Sequence, residues 1–414
     1  MNNSVNERYQ ESEGASPQTQ VVGRAAEPDL IRPSACESKR VCLVGPGTRF
    51  LSGITYYSYC LIDALTLAGY DCSAIFIRKL VPACLYPGRV RVGENLSDLR
   101  LPEHIRRVDG IDWYWGWSVV RAVVFLWKER PQILVLQWWT GAVLHTYLLL
   151  ALISRVLGCK VIVEFHEAQD VGEARLPFAA TYMNIGGRCL LKLSSGQLVH
   201  SQYDWNLVKS RYRLNETLQI VPHAGYDYLP AKPPVRLAPK GVINLLYFGV
   251  IRPFKGVEDL IEAFNLVGVE SQSNFWLTVV GETWEGWDLP TRLIASSPYR
   301  NRITFINRYV TDIEAAGYFA GADLVVLPYH RSSSSGPLQI AMAKGLPVVV
   351  TRVGGLVEAT ASYDGAVMVE AANPASLAEG VERGANLVGR RFNGVTSWGQ
   401  TVSGYSDLIG RICK

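Results

Sequence analysis

The residues best suited to chemistry lie in segment 248–257, which has the sequence F-G-V-I-R-P-F-K-G-V. An apolar run ends at Phe248 and a helical pattern begins near Gly256, so Arg252 and Lys255 fall in the connecting loop. Ligands of open α/β sheets lie beyond the carboxyl ends of strands, and a helix N-terminus offers unpaired backbone N–H groups to an anion. Two cations at such a place are suited to binding a diphosphate. The alternative is that both side chains are simply solvated.

Two further glycine- or serine-rich segments follow apolar runs. Residues 328–337, P-Y-H-R-S-S-S-S-G-P, precede a predicted helix and carry many hydroxyl and amide donors, which are suited to phosphate or sugar oxygens. In residues 351–358, the pair Gly354-Gly355 permits close approach of the backbone, and Glu358 is suited to accept hydrogen bonds from sugar hydroxyls. Taken alone, an ordinary solvated loop or turn explains either segment.

The first half of the chain offers a glycine loop at residues 45–53, G-P-G-T-R-F-L-S-G. It does not fit the G-x-G-x-x-G dinucleotide fingerprint, because the third glycine would fall at Phe50 and no acidic residue closes the second predicted strand. We predict instead that Gly47, Ser52 and Gly53 contact an acceptor or a phosphate.

Residues 164–170, E-F-H-E-A-Q-D, follow another predicted strand and collect several titratable side chains. His166 and Glu167 are typical of an acid–base pair or of a polar loop, and the lack of an H-E-x-x-H pattern argues against a metal site. His200 and His223 each end an apolar stretch, and we predict that they are structural hydrogen-bonding residues.

Tryptophan is dense in the first half, as in W-Y-W-G-W at residues 113–117, with further rings at Trp127, Trp138 and Trp139. A position in the core is the favoured interpretation for most of these rings. Exposed rings would instead stack on sugars or contact a membrane that holds a lipid acceptor.

The elements that must position these side chains alternate as strand, loop and helix. An apolar run at 41–44 is followed by the glycine loop, a helical pattern over 54–67 and a second strand over 73–77. Further strands are predicted at 133–137, 160–165, 197–200, 243–248, 275–280, 302–305, 324–327 and 348–350. Such alternation predicts a mostly parallel sheet covered on both faces, and it restarts after the proline-rich residues 230–240. We therefore predict these units: a disordered tail over 1–38, an N-terminal lobe over 39–228, a linker over 229–241, a C-terminal lobe over 242–395 and a last helix over 396–414 that packs back on the first lobe.

Composition fits this organisation, since 414 residues exceed one compact core and 48% of them are hydrophobic. A formal net charge of only +4 gives no case for nucleic-acid binding. The N-terminus lacks an apolar signal region, and no apolar run reaches the roughly 20 residues that span a bilayer, so we expect a cytoplasmic protein. The longest candidate, residues 143–157, is interrupted by His145 and Arg155 and is predicted to form a buried helix.

A series of motifs resembles the GT-B glycosyltransferases of family 4. F-G-V-I-R-P-F-K-G-V-E-D-L-I-E-A-F, V-V-G-E, A-D-L-V-V-L-P-Y and G-L-P-V-V-V-T-R-V-G-G-L-V-E follow one another in the second half. The first half carries S-G-I-T-Y-Y, E-F-H-E, H-S-Q-Y-D and V-P-H-A-G. The resemblance covers residues 40–412 and implies an α/β fold of two Rossmann-like, doubly wound lobes that face a cleft. It also implies a nucleotide-sugar donor held by the second lobe, an acceptor held by the first, and neither a metal nor a cofactor.

The resemblance implies roles for single residues. Arg252 and Lys255 would neutralise the donor diphosphate and its leaving-group charge, and His166 would lie near the donor sugar. Donor contacts are implied for Gly249, Glu282, Ser334, Ser335, Gly336, Gly354, Gly355 and Glu358. The loop with Gly47, Ser52 and Gly53 would close over the phosphates or the acceptor.

One departure from the family pattern concerns its two glutamates eight residues apart, whose positions hold Ser332 and Ile340. The stretch 334–341, S-S-G-P-L-Q-I-A, is similar to a branch of the family in which the serines and Gly336 would take over phosphate contact.

The leading hypothesis is a hexosyltransferase that moves a hexose from a nucleotide sugar to a saccharide or lipid-linked acceptor in polysaccharide or glycoconjugate biosynthesis. The resemblance implies retention of anomeric configuration by front-face attack, and peripheral contact with the inner face of the membrane is an extension of the same hypothesis. Two alternatives stay open. One is a sugar-nucleotide epimerase of the same fold, which needs no acceptor. The other is a non-catalytic sugar-nucleotide-binding protein, suggested by Ser332 and Ile340.

Overall fold

The computed structural model describes residues 39–48, 53–79, 97, 99–167, 179–212, 218–267, 274–283 and 286–414. The predicted tail over 1–38 and Ser52 of the glycine loop lie outside the described residues.

The N-terminal half forms a parallel sheet. Its strands are β1 (Arg40–Pro46), β2 (Asp71–Lys79), β3 (Arg106–Asp112), β4 (Ile133–Trp138), β5 (Lys160–Phe165), β6 (Gly196–Val199) and β7 (Leu218–Ile220). They pair in the order β3-β2-β1-β4-β5-β6-β7. β4 and β6 are buried along their whole length, which is why they are nearly continuous apolar runs rather than alternating patterns.

Helices cover both faces of this sheet. They are α1 (Gly53–Leu67), α2 (Gly116–Glu129), α3 (Leu144–Val156), α4 (Ala179–Leu193) and α5 (Gln202–Tyr212). α1 packs on one face, and α2 to α5 share the core on the other face. The buried side chains of α1 include Tyr57 and Leu61, whereas α3 contributes Leu144, Tyr147 and Leu150.

The C-terminal half repeats the plan with a second parallel sheet. Its strands are β8 (Ile243–Phe248), β9 (Phe275–Val280), β10 (Ile303–Ile306), β11 (Leu324–Leu327), β12 (Val348–Thr351) and β13 (Ala366–Val369), paired in the order β10-β9-β8-β11-β12-β13. The helices are α6 (Val257–Leu266), α7 (Leu289–Ser296), α8 (Asp312–Ala320), α9 (Gly336–Ala343), α10 (Gly355–Ala359) and α11 (Pro374–Ala385).

The last helix, α12 (Trp398–Ile412), follows the second sheet in the chain but packs on the first lobe against α1. A capping box of Ser397 and Gln400 fixes its start. Tyr70, which follows α1, hydrogen-bonds Ser406 with 2.9 Å between the two hydroxyl oxygens. Tyr56 on α1 donates to Asp312 at the start of α8, so the two lobes also meet directly.

The strand orders show where a ligand crevice opens in each sheet. In the first sheet the chain leaves the neighbours β1 and β4 in opposite directions, and in the second it does so at β8 and β11. The loops that follow such a pair separate, because their helices cover opposite faces of the sheet, and a crevice opens between them. The loops after β8 and β11 are the two that carry Arg252, Lys255 and the serine run.

The structure confirms the predicted fold class of two doubly wound α/β lobes. The predicted strands at 243–248, 275–280 and 324–327 have the observed bounds. β3, β7 and β13 were not predicted. β3 is an edge strand with the sequence R-R-V-D-G-I-D, in which exposed charged residues mask the apolar pattern.

Two predictions about burial need correction. Trp138 and Trp139 are buried as predicted, but the core interpretation is wrong for Trp113, Trp117 and Trp127, which are exposed. The predicted buried helix over 143–157 is buried on one side only, since α3 exposes Leu152 and Val156. Periodicity alone did not reveal these exposures because apolar residues occur on both sides of α2 and α3.

Candidate functional site

The cationic loop after β8 is held in place by glycines and by the neighbouring loop. Gly249 has a φ of +131° and Gly256 a φ of +64°, both in the region that favours glycine. A Cβ on Gly256 would lie 2.0 Å from the carbonyl oxygen of Pro328, so only glycine fits where the 3₁₀ turn Pro253–Lys255 passes into α6. The His330 N–H donates to the Phe254 carbonyl at 2.9 Å and joins the loops after β8 and β11.

Three cations gather around two aromatic rings in these loops. The Lys255 amine lies 3.6 Å from the ring centre of Tyr329, which is a cation–π contact. The guanidinium carbons of Arg331 and Arg252 lie 4.8 Å and 6.0 Å from the ring centre of Phe254. The structure therefore adds Arg331 to the predicted pair of Arg252 and Lys255.

The pKa of Lys255 is lowered to about 7, mainly by burial and to a smaller extent by the neighbouring guanidinium groups of Arg252 and Arg331. The carboxylate of Glu167 acts in the opposite direction and raises this pKa. Near neutral pH the amine is therefore only partly protonated before an anion arrives. A bound diphosphate would supply the charge that favours the protonated form.

The serine loop after β11 is shaped by its own hydroxyls. Ser332 donates to the carbonyl of Ser334 at 2.7 Å. Ser335 caps α9 by accepting from the Leu338 N–H at 3.3 Å, so its hydroxyl is engaged in the cap. The N-terminus of α9 lies at the cleft beside Ser334 and would present its positive end to an anion bound there.

The Gly354-Gly355 turn supports the serine loop from behind. A Cβ on Gly354 would lie 1.9 Å from the Ser332 carbonyl oxygen, and one on Gly355 would lie 2.0 Å from that of Ser333. The Gly355 N–H donates to the Ser332 carbonyl at 3.1 Å. These glycines are therefore required by the packing of protein against protein.

A cleft of about 710 Å³, counting the part open to solvent, lies between the two loops and the first lobe. It is lined by Glu167, Gly249, Val250, Arg252, Phe254, Lys255, Tyr329, Arg331, Ser332, Ser334 and Pro337. Four of these are predicted site residues: Gly249, Arg252, Lys255 and Ser334. Among the additional cleft residues, Arg331 and Tyr329 were inside the segment quoted for its serines. Their positions shortly after a predicted strand, one a cation and the other an aromatic ring, were the sequence signal that could have identified them as site residues.

His166 lies in a buried polar cluster next to the cleft-lining Glu167. Its Nε2 is hydrogen-bonded to the side chain of Gln137, and its Nδ1 is 3.2 Å from Nε2 of His200. Burial and then the neighbours His200 and His223 hold the pKa of His166 well below its usual value. A neutral imidazole is thus the form that this environment favours, and its predicted position near a donor sugar stays a prediction.

Glu164 is the buried acidic residue of the same cluster. Tyr57 donates to its Oε1 at 2.7 Å, and Gln137 and Tyr405 donate to its Oε2. Tyr405 belongs to α12, so the last helix of the chain completes the hydrogen bonding of a carboxylate on β5. One ligand atom from each of Glu164, His166 and His200 lies within 4.8 Å of the others, which is a set that could bind a metal. An ion there would compete with these three donors for the oxygens of Glu164.

Other predicted residues lie around the cleft without lining it. Glu358 accepts from the backbone N–H groups of Gln202 and Tyr203 at 2.6 Å and 2.9 Å, so it caps α5 of the opposite lobe. The carbonyl of Glu282 accepts from the Ile251 N–H at 2.9 Å and supports the cationic loop. Predicted donor and acceptor contacts by these residues stay predictions.

Two of the predicted glycines, Gly53 in the first lobe and Gly336 in the second, lie close together. Gly53 begins α1 and Gly336 begins α9, and a Cβ on Gly336 would lie 4.0 Å from the Gly53 Cα. Tyr226 donates to the Gly53 carbonyl at 2.9 Å. Gly47 lies at the end of β1, where a Cβ would be 2.9 Å from that of Phe76. The N-termini of α1 and α9 thus open toward the same region.

Comparison with known proteins adds the following findings. Residues 243–386 match the model of the family described as Glycosyl transferases group 1. A D-inositol 3-phosphate glycosyltransferase of Arthrobacter sp. (strain FB24) is 32% identical over 31% of this chain and 30% of its own length. A GDP-mannose:glycolipid 4-beta-D-mannosyltransferase of Xanthomonas campestris pv. campestris is 32% identical over 26% of this chain and 29% of its own length. The matched part of the chain thus spans about 30% of the length of these relatives.

The likeness in three dimensions extends over nearly the whole chain. The catalytic domain of starch synthase IV from Arabidopsis thaliana, bound to ADP and acarbose, superposes with a TM-score of 0.64 and 13% identity, covering 91% of this chain and 100% of that one. The chain has the GT-B fold. In this GT-B protein the cleft-lining Arg252 and Lys255 lie in the C-terminal lobe, and Glu167 approaches them from the N-terminal lobe.

Ser332 and Ile340, which occupy the positions of the family's two glutamates, have different surroundings in the structure. Ser332 lines the cleft, whereas Ile340 lies on α9 and is buried in the core. Ile340 therefore belongs to the packing of α9 here, and the polar atoms at this end of the cleft come from the serine loop.

Proposed function

We propose that this GT-B protein is a glycosyltransferase that moves a hexose from a nucleotide-sugar donor to a saccharide or glycolipid acceptor. The match of residues 243–386 to a glycosyltransferase family model supports the reaction type. The name of the Xanthomonas relative specifies a nucleotide-sugar donor and a glycolipid acceptor, which supports the proposed substrate classes. The motif series further supports membership of family 4, in the branch with the S-S-G-P-L-Q-I-A stretch.

The observation that carries the proposal is the convergence of Arg252, Lys255 and Arg331 on one cleft beside the N-terminus of α9. When the bond between the anomeric carbon and the diphosphate breaks, negative charge grows on the departing phosphate oxygen. Cations and N–H groups fixed before the reaction stabilise that charge without having to reorganise. The same groups would contribute less to a neutral ligand.

We propose that transfer proceeds with retention, in line with the family resemblance. The acceptor hydroxyl oxygen forms the new bond to the anomeric carbon on the face that the diphosphate leaves, and the departing phosphate oxygen takes the hydroxyl proton. Lys255 and Arg252 then hold the nucleoside diphosphate until release. The proposal includes neither metal nor cofactor, and it assigns the reaction to the cytoplasm, at the inner face of the membrane when the acceptor is lipid-linked.

The experiment measures nucleoside diphosphate release from a panel of sugar nucleotides, with and without glycolipid and saccharide acceptors. Donors are first chosen by thermal stabilisation, because a bound ligand raises the free energy of unfolding by mass action. We expect Lys255→Ala and Arg252→Ala each to lower kcat by about 10²–10³-fold, the loss typical of removing one preorganised donor to developing charge. Lys240→Ala and Arg292→Ala change exposed cations of the same half and serve as matched controls.

Each alternative has its own outcome in this assay. Conversion of the sugar nucleotide into an epimer without acceptor would identify an epimerase. Donor binding without release of nucleoside diphosphate under any acceptor condition would identify a binding protein. Equal turnover of the cleft variants and their controls would refute the proposed role of the cations.

A further inference from the structure

Helix α2 carries an apolar stripe on its solvent side. Trp117 is 83% exposed and Trp127 is 59% exposed, and Val120 and Val124 between them are also exposed. These four residues are three, four and three positions apart, so they share one face of the helix. The opposite side of α2 packs on the sheet through Val119, Ala122 and Leu126. α2 is therefore apolar on both its buried and its solvent side.

The neighbouring helices extend this stripe into a wider surface. α3 packs beside both α2 and α4. α3 exposes Leu152 and Val156, the latter to 80%, and α4 exposes Tyr182 and Ile185. We call the outward sides of α2, α3 and α4 the aromatic face.

Contacts at one end of the aromatic face hold its parts together. His145 on α3 is hydrogen-bonded through Nε2 to the Trp113 carbonyl at 2.9 Å. Its Nδ1 lies 3.5 Å from the Tyr182 hydroxyl on α4. The Trp115 Nε1–H donates to the Thr146 hydroxyl at 2.9 Å, which fixes the loop that precedes α2. These contacts connect the loop before α2 to α3, and α3 to α4, at one end of the aromatic face.

Charge on the aromatic face is almost entirely positive. The three helices contain Arg121, Lys128, Arg155, Arg188 and Lys192. Their one acidic residue is Glu129, and it is already paired with Arg106 at 2.6 Å. Within these three helices, five cations and one paired acid therefore edge the apolar surface, which lies on one side of the first lobe.

We propose that the aromatic face docks the protein onto the surface of an anionic bilayer. Tryptophan and tyrosine favour the level of the lipid headgroups, and Lys and Arg beside them are attracted to anionic lipids. No helix in the described ranges is long and apolar enough to cross a bilayer, so the contact is a surface contact. A second copy of the chain is a poorer occupant, because two such faces would oppose like charges.

The docking surface is separate from the cleft and does not depend on the proposed reaction. The cationic loop belongs to the second lobe, whereas α2, α3 and α4 all belong to the first. If the chain transfers sugar to a glycolipid, docking would bring it to the layer that contains the acceptor. Binding to vesicles is measured without donor, acceptor or turnover, so failure of one proposal leaves the other intact.

The test is co-sedimentation of the full chain with phosphatidylcholine vesicles that contain either no or 30% phosphatidylglycerol. We expect binding to the anionic vesicles that weakens as salt rises, because surface charges are screened. Trp117→Ala combined with Trp127→Ala should weaken the binding at least tenfold. Leu67→Ala combined with Leu266→Ala is the matched control, since these leucines are 56% and 58% exposed on α1 and α6 and lie off the face.

A second pair of substitutions tests the charge separately. Arg121→Glu with Lys128→Glu should abolish the preference for anionic vesicles while leaving the melting temperature unchanged. Equal binding of the Trp double variant and the leucine control would overturn the proposal, as would absence of binding to anionic vesicles at low salt. A dimer in light scattering that dissociates in the Trp double variant would show that a second copy occupies the face instead.

Discussion

Binding of a nucleoside diphosphate should be coupled to uptake of a proton by Lys255. The pKa of this amine is lowered to about 7, mainly by burial, with Arg252 and Arg331 acting in the same direction. One phosphate charge about 4 Å from the amine contributes about 4 kcal/mol at an effective dielectric constant of about 20, or about three pKa units. The pKa in the complex would then be about 10, close to the ordinary value for lysine.

The expected size of the effect follows from these two pKa values. At pH 8 about nine-tenths of the free protein carries a neutral Lys255, so binding takes up about 0.9 proton. Because only the protonated fraction binds well, the affinity should fall about fivefold between pH 7 and pH 8 and about 50-fold by pH 9. The terminal phosphate, with a second pKa of about 6, is already ionised throughout this range and does not contribute.

Isothermal titration calorimetry in two buffers of different ionisation enthalpy measures the proton uptake directly. The probes are UDP, GDP and ADP, of which the tightest binder is carried forward. Lys255→Met keeps an unbranched side chain over Tyr329 and should bind more weakly, without proton uptake and with a flat pH profile. Equal heats in both buffers at pH 8, or the same uptake in Lys255→Met, would refute the reasoning.

The lowered pKa of Lys255 also sets the direction in which the free energy of unfolding changes with pH. The unfolded chain keeps Lys255 protonated up to its ordinary pKa of about 10.4, whereas the folded chain releases the proton near pH 7. The unfolded state therefore binds more protons between these values, and the free energy of unfolding rises with pH over this window. Urea unfolding of the wild type should show this rise relative to Lys255→Met.

Two further predictions concern how α12 and α10 fasten the lobes. Tyr405→Phe removes a donor from the buried carboxylate of Glu164 and should lower the free energy of unfolding by about 1.5–3 kcal/mol, the contribution of a hydrogen bond to a charged group. Tyr70→Phe removes a hydrogen bond to the neutral Ser406 hydroxyl and should lower the free energy of unfolding by about 1 kcal/mol or less. A larger loss of stability in Tyr70→Phe than in Tyr405→Phe would contradict this account. Glu358→Gln should lower the free energy of unfolding by about 1 kcal/mol, because it weakens the cap on α5. An unchanged urea midpoint would show that the cap does not contribute to stability.

The buried polar cluster around His166 and Glu164 could not be predicted from the sequence, because its residues come from distant parts of the chain. Glu164 and Tyr405 are 241 positions apart, and their contact exists because α12 returns to the first lobe. The sequence predicted that this helix packs back, yet it gave no means of telling which of its side chains reaches a buried carboxylate. The sequence places His166 after a strand, but its two hydrogen-bonding partners, Gln137 on β4 and His200 after β6, come from other parts of the fold.

Sequence alone determined the two-lobed α/β plan and the loop that carries Arg252 and Lys255. Both depend on local information, because apolar periodicity marks strands and helices, and glycine marks the turns between them. The tertiary structure decided the rest. Arg331 joins the pair because β8 and β11 are neighbours in the sheet, the pKa of Lys255 falls because its amine is buried, and Trp117 and Trp127 are exposed because no element covers them in the described structure. Burial and proximity are properties of packing between distant segments, so they are set only when the chain has folded.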